Sequence, residues 1–350
     1  MKKEELVKTT KELIAIESCT SDKDKIVQAL EYVKTFFSKT NFIIKEFEFK
    51  GVKSLLVTLK SENPALLLHG HIDVVPAPKE LFKPIVKDGK IFGRGAIDMK
   101  SGLAVLMHVI RDLSTENKKV DVGLLITTDE EIGGYNSTGE LSEILKPKFV
   151  LSAEPTNLLI GNNAKGVLQL ELSVTGKSAH AAYPWEGENA ILKMVDMIAK
   201  IKELFPKKGD YYTTINFSKI NAGDVLNKVP DQCTACVDIR FVPEEDPKKI
   251  IKNIESLGLL VKVITTSNSS TCDKNNAFVK KLQKSLKKNK LKTDFIKKHG
   301  ASDIRHFTKK GVPGVTFGPT GKGMHAPDES VEIESLDNLY KVIKDFCLTT

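Results

Sequence analysis

Arginine, tryptophan and cysteine are scarce in this sequence, and its apolar runs are short. There is one tryptophan, and only four of the 53 basic residues are arginine. Five scattered cysteines are too few for the disulfide framework of a small secreted domain. Apolar runs such as Leu103–Met107 cannot span a bilayer, and the start of the chain, Met1–Glu5, lacks an apolar signal core. We therefore expect a cytoplasmic protein with no membrane partner.

The net charge of +8 does not by itself predict a nucleic-acid partner, and we expect none. Almost all the basic residues are lysines, which are spread along the chain among Asp and Glu. The densest stretch, Lys280–Lys298, has a helical pattern without regularly interleaved aromatic side chains to stack on bases. Arginine is a candidate for positions that need a planar fork, because lysine supplies charge everywhere else. The four arginines are Arg94, Arg111, Arg240 and Arg305.

The strand and helix pattern predicts two domains in these 350 residues. Over residues 1–163 short apolar strands alternate with helices, which is typical of an α/β sandwich with helices on both faces of a mostly parallel sheet. Residues 164–270 follow the order β-α-β-β-α-β, the ferredoxin-like arrangement. We predict a catalytic domain of residues 1–163 and 271–350, interrupted by an inserted lid or dimerisation domain of residues 164–270.

Histidines and carboxylates occur at or just after several predicted strands, and these segments carry the chemical signal. Because open α/β sheets build their sites at the carboxyl ends of strands, we expect the side chains to share one edge. Imidazole and carboxylate are the ligand set of zinc, cobalt and manganese, and five ligands suit two ions if one carboxylate bridges them. The segments are Leu68–Pro76 with His71 and Asp73, Gly93–Gly102 with Asp98, Thr127–Gly133 with Glu130 and Glu131, Ser152–Thr156 with Glu154, and Gly323–Glu329 with His325.

The adjacent Glu130 and Glu131 indicate a division of roles. Two ionised carboxylates this close repel each other, and a metal bound to one relieves that cost. The other can take a proton from the attacking water. Each residue alone has an ordinary explanation: Asp98 could be a helix N-cap, and a histidine at a strand end is more often structural. The five segments together favour a metal site.

In this order the motifs resemble the family of metal-dependent amidohydrolases that contains acetylornithine deacetylase, succinyl-diaminopimelate desuccinylase, aminoacylase and several peptidases. The resemblance covers essentially the whole chain. It implies two divalent ions, with zinc expected and cobalt or manganese as alternatives. The implied roles are His71 and Glu154 on the first ion, Glu131 and His325 on the second, Asp98 as the bridge before a cis peptide at Met99, Glu130 as general base, and Asp73 as the partner that orients His71.

The resemblance also extends to substrate recognition. Gly176–Pro184 is similar to the family's motif at a dimer interface, where the residue equivalent to His180 helps to hold the oxyanion in the partner's active site. Asn227 and Arg240 resemble residues that contact substrate carboxylates. Ser302 and Arg305 match the Ser-Asp-x-Arg segment of the desuccinylases, with Arg305 as the expected carboxylate clamp. A homodimer formed through the inserted domain is therefore implied.

The implied reaction is hydrolysis of an N-acyl amino acid by a metal-assisted mechanism. Glu154, where the family's dipeptidases and tripeptidases usually carry Asp, favours the deacylase, desuccinylase and carboxypeptidase branch. Ile304, where desuccinylases usually carry Gly, departs from that pattern. A dipeptidase or carboxypeptidase acting on a small peptide is the alternative. A non-catalytic metal-binding relative is a further alternative, although such a protein should have lost Glu130 or a ligand, and every position is filled.

Overall fold

The computed structural model describes residues 2–39, 42–116 and 120–350. The chain divides into two compact units. The first comprises Met1–Asn162, Thr271–Ile296 and Ser302–Thr350, and the second comprises Asn163–Ser270 and Lys297–Ala301. Among the residues that the structure describes, no helix is both long and apolar enough to cross a membrane.

The bounds of the elements are as follows. The α-helices are α1 (Lys2–Ile14), α2 (Lys23–Phe37), α3 (Lys100–Thr115), α4 (Glu140–Ile144), α5 (Ala190–Glu203), α6 (Pro247–Glu255), α7 (Ala277–Lys288), α8 (Ile304–Lys309) and α9 (Ile333–Thr349). The strands are β1 (Ile43–Phe49), β2 (Val52–Thr58), β3 (Leu66–His71), β4 (Ile85–Lys87), β5 (Lys90–Phe92), β6 (Val122–Thr127), β7 (Phe149–Ser152), β8 (Ile160–Ala164), β9 (Gly166–Thr175), β10 (Thr214–Ala222), β11 (Gln232–Phe241), β12 (Leu260–Ser267), β13 (Ser270–Thr271), β14 (Phe295–Lys298), β15 (Gly314–Thr316), β16 (Gly321–Lys322) and β17 (Ser330–Glu332).

The main sheet has the strand order β1-β2-β6-β3-β7-β15-β8-β13, and β14 pairs with β8. The pairings β6–β3, β3–β7 and β7–β15 are parallel, so the middle of the sheet is parallel and the strands paired antiparallel lie outside it. The prediction of an α/β sandwich with a mostly parallel sheet is confirmed in this central part.

The apolar residues of the central strands form two cores because neighbouring side chains on a strand point to opposite faces. Leu66 and Leu68 of β3 pack in the core that also holds side chains of α1, α3, α7 and α9. Leu67 packs in a smaller core with Leu141 of α4 and Phe307 of α8. Continuous apolar strands therefore lie buried between two layers of helices, as expected for parallel strands.

Helix α3 begins directly after the Asp98 segment. The residue that precedes its first turn is Met99, which makes no capping hydrogen bond through its side chain. The alternative that Asp98 is an N-cap is therefore wrong. The peptide bond between Asp98 and Met99 is cis, which confirms the resemblance on that point.

Proline and glycine recur over residues 74–97, where the sequence favours a loop, but part of this segment is ordered into a hairpin. Strands β4 and β5 pair through a turn at Asp88 and Gly89, whose φ angles of 50° and 71° are left-handed. They extend a small sheet of order β16-β17-β5-β4. The strands of this sheet are only two or three residues long, so they show no alternation of apolar and polar residues from which a strand could be predicted.

The second unit contains a four-stranded antiparallel sheet of order β10-β11-β9-β12. Helices α5 and α6 connect its strands, which gives the chain order β-α-β-β-α-β. Every second residue of β9 is buried, and Leu168, Leu170 and Leu172 pack with Ile239 of β11 and Met194 of α5. One face of this sheet therefore carries the core of the second unit.

The chain leaves the first unit and returns to it at adjacent strands. Strands β8 and β13 are neighbours in the main sheet. The amide of Cys272 donates to the carbonyl oxygen of Asn162 over 2.8 Å, and the side-chain amide of Asn162 donates to the Cys272 carbonyl over 3.1 Å. The two ends of the inserted segment are thus held together by residues of the first unit.

Candidate metal centre

Three neighbouring parallel strands deliver the candidate ligands to one edge of the main sheet. His71 is the last residue of β3, Glu130 follows the end of β6 by three residues, and Glu154 follows the end of β7 by two. Because β3 lies between β6 and β7 and all three run in the same direction, their carboxyl ends meet.

Two groups of side chains could each hold one ion. They are His71, Asp98 and Glu154, and Asp98, Glu131 and His325, and within each group the ligand atoms lie within 4.8 Å of one another. Asp98 belongs to both, since its Oδ1 is 3.2 Å from Nε2 of His71 and its Oδ2 is 3.1 Å from Nε2 of His325. Nε2 of His71 is 3.7 Å from Oε1 of Glu154, and Nε2 of His325 is 3.3 Å from Oε2 of Glu131.

The electrostatics of this cluster fit a bound cation. Burial raises the pKa of Glu131 to about 7 and raises the pKa of Glu130 well above its ordinary range. Burial alone would lower the pKa of His71, but hydrogen bonds to Asp73 and Asp98 raise it well above its ordinary value. The carboxylates therefore lack enough positive charge around them, and a divalent ion would supply it. Imidazole and carboxylate donors suit zinc, cobalt or manganese.

Asp73 connects the first ligand to the loop that carries the two glutamates. Nδ1 of His71 lies 2.9 Å from the backbone oxygen of Asp73 and 3.4 Å from its Oδ1, which leaves Nε2 facing the candidate ligands. The carboxylate of Asp73 also accepts hydrogen bonds from the amides of Glu130 and Glu131, over 3.3 and 3.2 Å, and from the hydroxyl of Thr20 over 2.8 Å. Asp73 can thus orient both the imidazole and the glutamate loop.

Glu329 supports the bridge position, and the sequence reasoning missed it. Its buried carboxylate accepts hydrogen bonds from the amides of Ile97 and Asp98 and forms an ion pair with Arg94 at 2.5 Å. Arg94 also donates to the carbonyl oxygen of His325 over 2.9 Å. This pair therefore holds the backbone of two candidate ligands. Its place four residues after His325, inside the same motif, was the available signal.

The Ser-Asp-x-Arg segment lies beside the glutamate loop. Arg305 donates from Nη2 to the carbonyl oxygen of Gly133 over 2.6 Å, and its Nη1 lies 3.3 Å from Oδ1 of Asp303. Burial alone would raise the pKa of Asp303, but the charge of Arg305 and the neighbouring histidines lower it below its ordinary value. Ser302 is buried, and its hydroxyl has no hydrogen-bond partner within the described part of the chain. Asp303 was not singled out from the sequence.

The other predicted substrate residues belong to the second unit. His180 and Asn227 are exposed and lie on adjacent segments, since the amide of Ala181 donates to the carbonyl oxygen of Asn227 over 2.9 Å. Nδ1 of His180 accepts from the amide of Ala182 over 3.1 Å. Arg240 forms a two-pronged ion pair with Asp238, with N–O distances of 2.6 and 3.0 Å.

Comparisons with known proteins show the family and the fold of the chain. The sequence profile of peptidase family M20/M25/M40 matches residues 67–349. The chain is 32% identical over 336 residues to a succinyl-diaminopimelate desuccinylase of Pelagibacter ubique, covering 86% of each chain. The fold is similar to that of a Staphylococcus aureus tripeptidase, with a TM-score of 0.82, 26% identity, and coverage of 99% of this chain and 98% of that one. It is also similar to an M20 family metallo-carboxypeptidase of Sulfolobus solfataricus, with a TM-score of 0.79, 21% identity and 98% coverage of each chain.

Proposed function

The chain belongs to peptidase family M20/M25/M40, and we propose from this premise that it uses two metal ions to cut the amide bond of an N-acyl amino acid. It is a hydrolytic enzyme that acts on amide bonds by a metal-dependent reaction. The observation that carries the proposal is the pair of ligand groups that share Asp98, with Glu130 on the same loop as one of the ligands.

We assign His71, Asp98 and Glu154 to one ion and Asp98, Glu131 and His325 to the other. Two divalent ions held there would polarise the amide carbonyl and lower the pKa of the attacking water. Zinc is our first choice, and cobalt and manganese suit the same donors.

The chain's own residues would move the proton and hold the charge. Glu130 takes a proton from the attacking water and returns it to the leaving amine, a role that suits a carboxylate whose pKa is raised by burial. Asp73 keeps His71 and the glutamate loop in place through the contacts described above. In a homodimer, His180 would donate a hydrogen bond to the oxyanion in the active site of the partner subunit, since its Nδ1 accepts a backbone hydrogen bond and its Nε2 can therefore carry the proton.

For substrate recognition we propose a carboxylate on the amine side of the bond. The desuccinylase relative supports an N-succinyl or N-acetyl amino acid as the substrate class. Asn227, Arg240, Ser302 and Arg305 are the candidate contacts from the sequence. Arg240 and Arg305 are already paired with Asp238 and Asp303, so a carboxylate would have to share or displace those partners.

A small peptide is the second candidate substrate, supported by the likeness to the S. aureus tripeptidase. A panel of N-succinyl amino acids, N-acetyl amino acids, dipeptides and tripeptides, each tested with added zinc, cobalt or manganese, separates the two. We expect the N-acyl amino acids to be cleaved fastest. Faster cleavage of the peptides would select the second candidate, and no cleavage at all would refute both.

Glu130→Gln tests the mechanism. We expect the variant to bind metal like the wild type and to lose at least about 1,000-fold in kcat, because glutamine cannot accept the proton. Glu186→Gln, on an exposed segment of the second unit, is a control for removal of a carboxylate. Survival of activity in Glu130→Gln would remove the assignment of the base.

We propose a homodimer formed through the second unit. This unit carries exposed apolar side chains, including Trp185 at 75%, Leu192 at 63% and Leu226 at 103% relative exposure. Leu226 lines one surface depression together with Pro184 and Ile191, which are the sequence neighbours of Trp185 and Leu192, and contiguous exposed apolar surface is typical of protein–protein contacts. Sedimentation analysis should show a dimer, and Leu226→Asp should shift it towards monomer. A monomeric wild type at micromolar concentration would contradict the proposal.

A further inference from the structure

The loop that carries Glu130 and Glu131 is held at both of its ends. At its beginning the carboxylate of Asp73 accepts hydrogen bonds from the amides of both glutamates. At its end the chain turns through Gly133 and Gly134, whose φ angles of 107° and 61° are left-handed. The amide of Gly133 donates to the carbonyl oxygen of Glu130 over 2.8 Å, so the position of this turn is coupled directly to Glu130.

Two side chains of α8 donate hydrogen bonds to the carbonyl oxygen of Gly133. Nη2 of Arg305 lies 2.6 Å from this oxygen, and Nε2 of His306 lies 3.0 Å from it. Both residues are largely buried. A carbonyl that accepts two hydrogen bonds, one of them from a charged donor, is held firmly in direction as well as distance.

Asp303 closes the other side of the turn. A Cβ built on Gly134 would lie 2.5 Å from Cγ of Asp303, so the carboxylate is packed against the glycine itself. The carboxylate is fully buried and accepts a hydrogen bond of 2.6 Å from the hydroxyl of Thr138, while Arg305 supplies its counter-charge. Asp303 and Arg305 thus form a buried ion pair that touches two consecutive residues of the turn.

These contacts leave Arg305 poorly placed to serve as a substrate clamp. Its Nη2 is occupied by Gly133 and its Nη1 faces Asp303, and the side chain is only 5% exposed. Nε has no hydrogen-bond partner among the described residues, but it is buried, and a two-pronged contact through Nε or Nη1 would still have to take Nη2 from the backbone carbonyl of Gly133. A two-pronged clamp needs both prongs free in one plane.

We propose that Asp303 and Arg305 are positioning residues, a buried ion pair that holds the Gly133–Gly134 turn and thereby sets the places of Glu130 and Glu131. The proposal rests on the proposed function only in the roles given to those two glutamates. It removes Arg305 from the residues that bind the substrate carboxylate and assigns a role to Asp303, which had none.

The experiment compares Asp303→Asn, Arg305→Gln and Thr138→Val, the last of which removes only the hydroxyl that Asp303 accepts. Arg111→Gln is the matched control, because Arg111 also pairs with carboxylates but lies near the end of α3. Kinetics are measured on an N-acyl amino acid and on the same compound with its carboxylate converted to an amide. Cobalt(II) is titrated into the metal-free full chain and followed by visible absorption.

We expect kcat to fall about 10–100-fold in Asp303→Asn and Arg305→Gln, with KM within about threefold of wild type, and equally for both substrates. The kcat of Thr138→Val should fall less. The kcat of the double variant Asp303→Asn/Arg305→Gln should be no lower than that of the less active single variant, because both substitutions disrupt the same ion pair. One of the two cobalt ions should bind about 10–100-fold more weakly, because Glu131 is displaced.

Two results would overturn the proposal. One is a rise in KM for Arg305→Gln confined to the substrate with the free carboxylate, with normal cobalt binding, which would make Arg305 a clamp. The other is unchanged kinetics and unchanged cobalt binding in both principal variants. If the wild type cleaves no amide, the proposed function fails, and the cobalt titration still decides the proposal about Asp303 and Arg305.

Discussion

Gly134→Ala tests how tightly the glutamate loop is packed, and Gly89→Ala is its matched control. Both glycines have left-handed φ angles, 61° at Gly134 and 71° at Gly89. A Cβ on Gly89 would meet nothing within 4 Å, whereas a Cβ on Gly134 would meet the carboxylate of Asp303. The two substitutions therefore share the cost of the backbone conformation and differ in the collision.

The magnitudes follow from the geometry. The left-handed backbone costs an alanine about 1–2 kcal/mol at either position. At Gly134 the Cβ would be 2.5 Å from Cγ of Asp303, against 3.4 Å or more for an ordinary contact, so one of them must move by about 1 Å. Asp303 is fully buried and cannot swing into solvent. Overpacking of this kind adds about 1–3 kcal/mol. We expect the free energy of unfolding to fall by about 1–2 kcal/mol in Gly89→Ala and by about 2–5 kcal/mol in Gly134→Ala.

Urea unfolding of the metal-free chain measures the stability difference, and kcat at saturating metal measures the functional one. Gly89→Ala should keep wild-type kcat. The kcat of Gly134→Ala should fall about tenfold or more, because displacement of the turn also displaces Glu130. If the two variants have the same stability and the same kcat, the turn is not packed against Asp303 as described and the reasoning fails.

Three further predictions concern other parts of the first unit. Glu329→Gln should lower the free energy of unfolding, measured with urea, by about 3–5 kcal/mol, because it leaves Arg94 buried without its counter-charge. The control Glu334→Gln, at an exposed ion pair, should lower it by less than about 1 kcal/mol. Equal losses in the two variants would contradict this. Burial lowers the pKa of His108 to about 4, so the unfolded chain binds its proton first as the pH falls below about 6.5. The corresponding stability is present above pH 6.5 and is lost as the pH falls towards 4. When the pH is lowered from 7.5 to 5, the free energy of unfolding, measured with urea, should therefore fall by about 2 kcal/mol less in His108→Gln than in the wild type. Parallel pH curves for the two proteins would exclude this. Dialysis against a chelator should lower the melting temperature, and zinc, cobalt or manganese should restore it, since ligands at 1,000 times Kd stabilise by about 4 kcal/mol; an unchanged melting temperature would mean that no structural ion is bound.

The buried strands were predictable because their apolar runs are unbroken. Val122–Thr127 and Phe149–Ser152 are short, mainly apolar runs in the sequence, and every residue of both strands is buried, as expected for strands covered on both faces. The hairpin of β4 and β5 was not predictable in the same way. Its first strand, β4, is exposed and holds Ile85 and Val86 on the surface, so its apolar residues do not follow the alternation of a half-buried strand.

The metal centre followed from residue type and position after strands, but its supporting contacts did not. In the structure, His71, Asp98, Glu131, Glu154 and His325 form two groups that share Asp98 and that could each hold an ion. The partners of these residues come from distant parts of the chain. The hydroxyl of Thr20 reaches Asp73 across 53 positions, and no local period or motif indicates such a pairing. Hydrogen bonds between remote loops depend on tertiary packing, which a single sequence does not reveal.

Because β8 and β13 are adjacent in the main sheet, the two ends of the inserted segment lie side by side. Because Asn162 and Cys272 hydrogen-bond to each other, the whole intervening segment is a loop whose ends are closed by the sheet. The entropy of closing such a loop grows only with the logarithm of its length, so each doubling costs about 0.6 kcal/mol. The pair of strands β8 and β13 can therefore hold the ends of inserted segments of very different length at little additional entropic cost. A chain in which a short glycine–serine linker replaces residues 164–270 should still assemble the candidate metal centre, because the residues of both candidate ligand groups lie outside the insert.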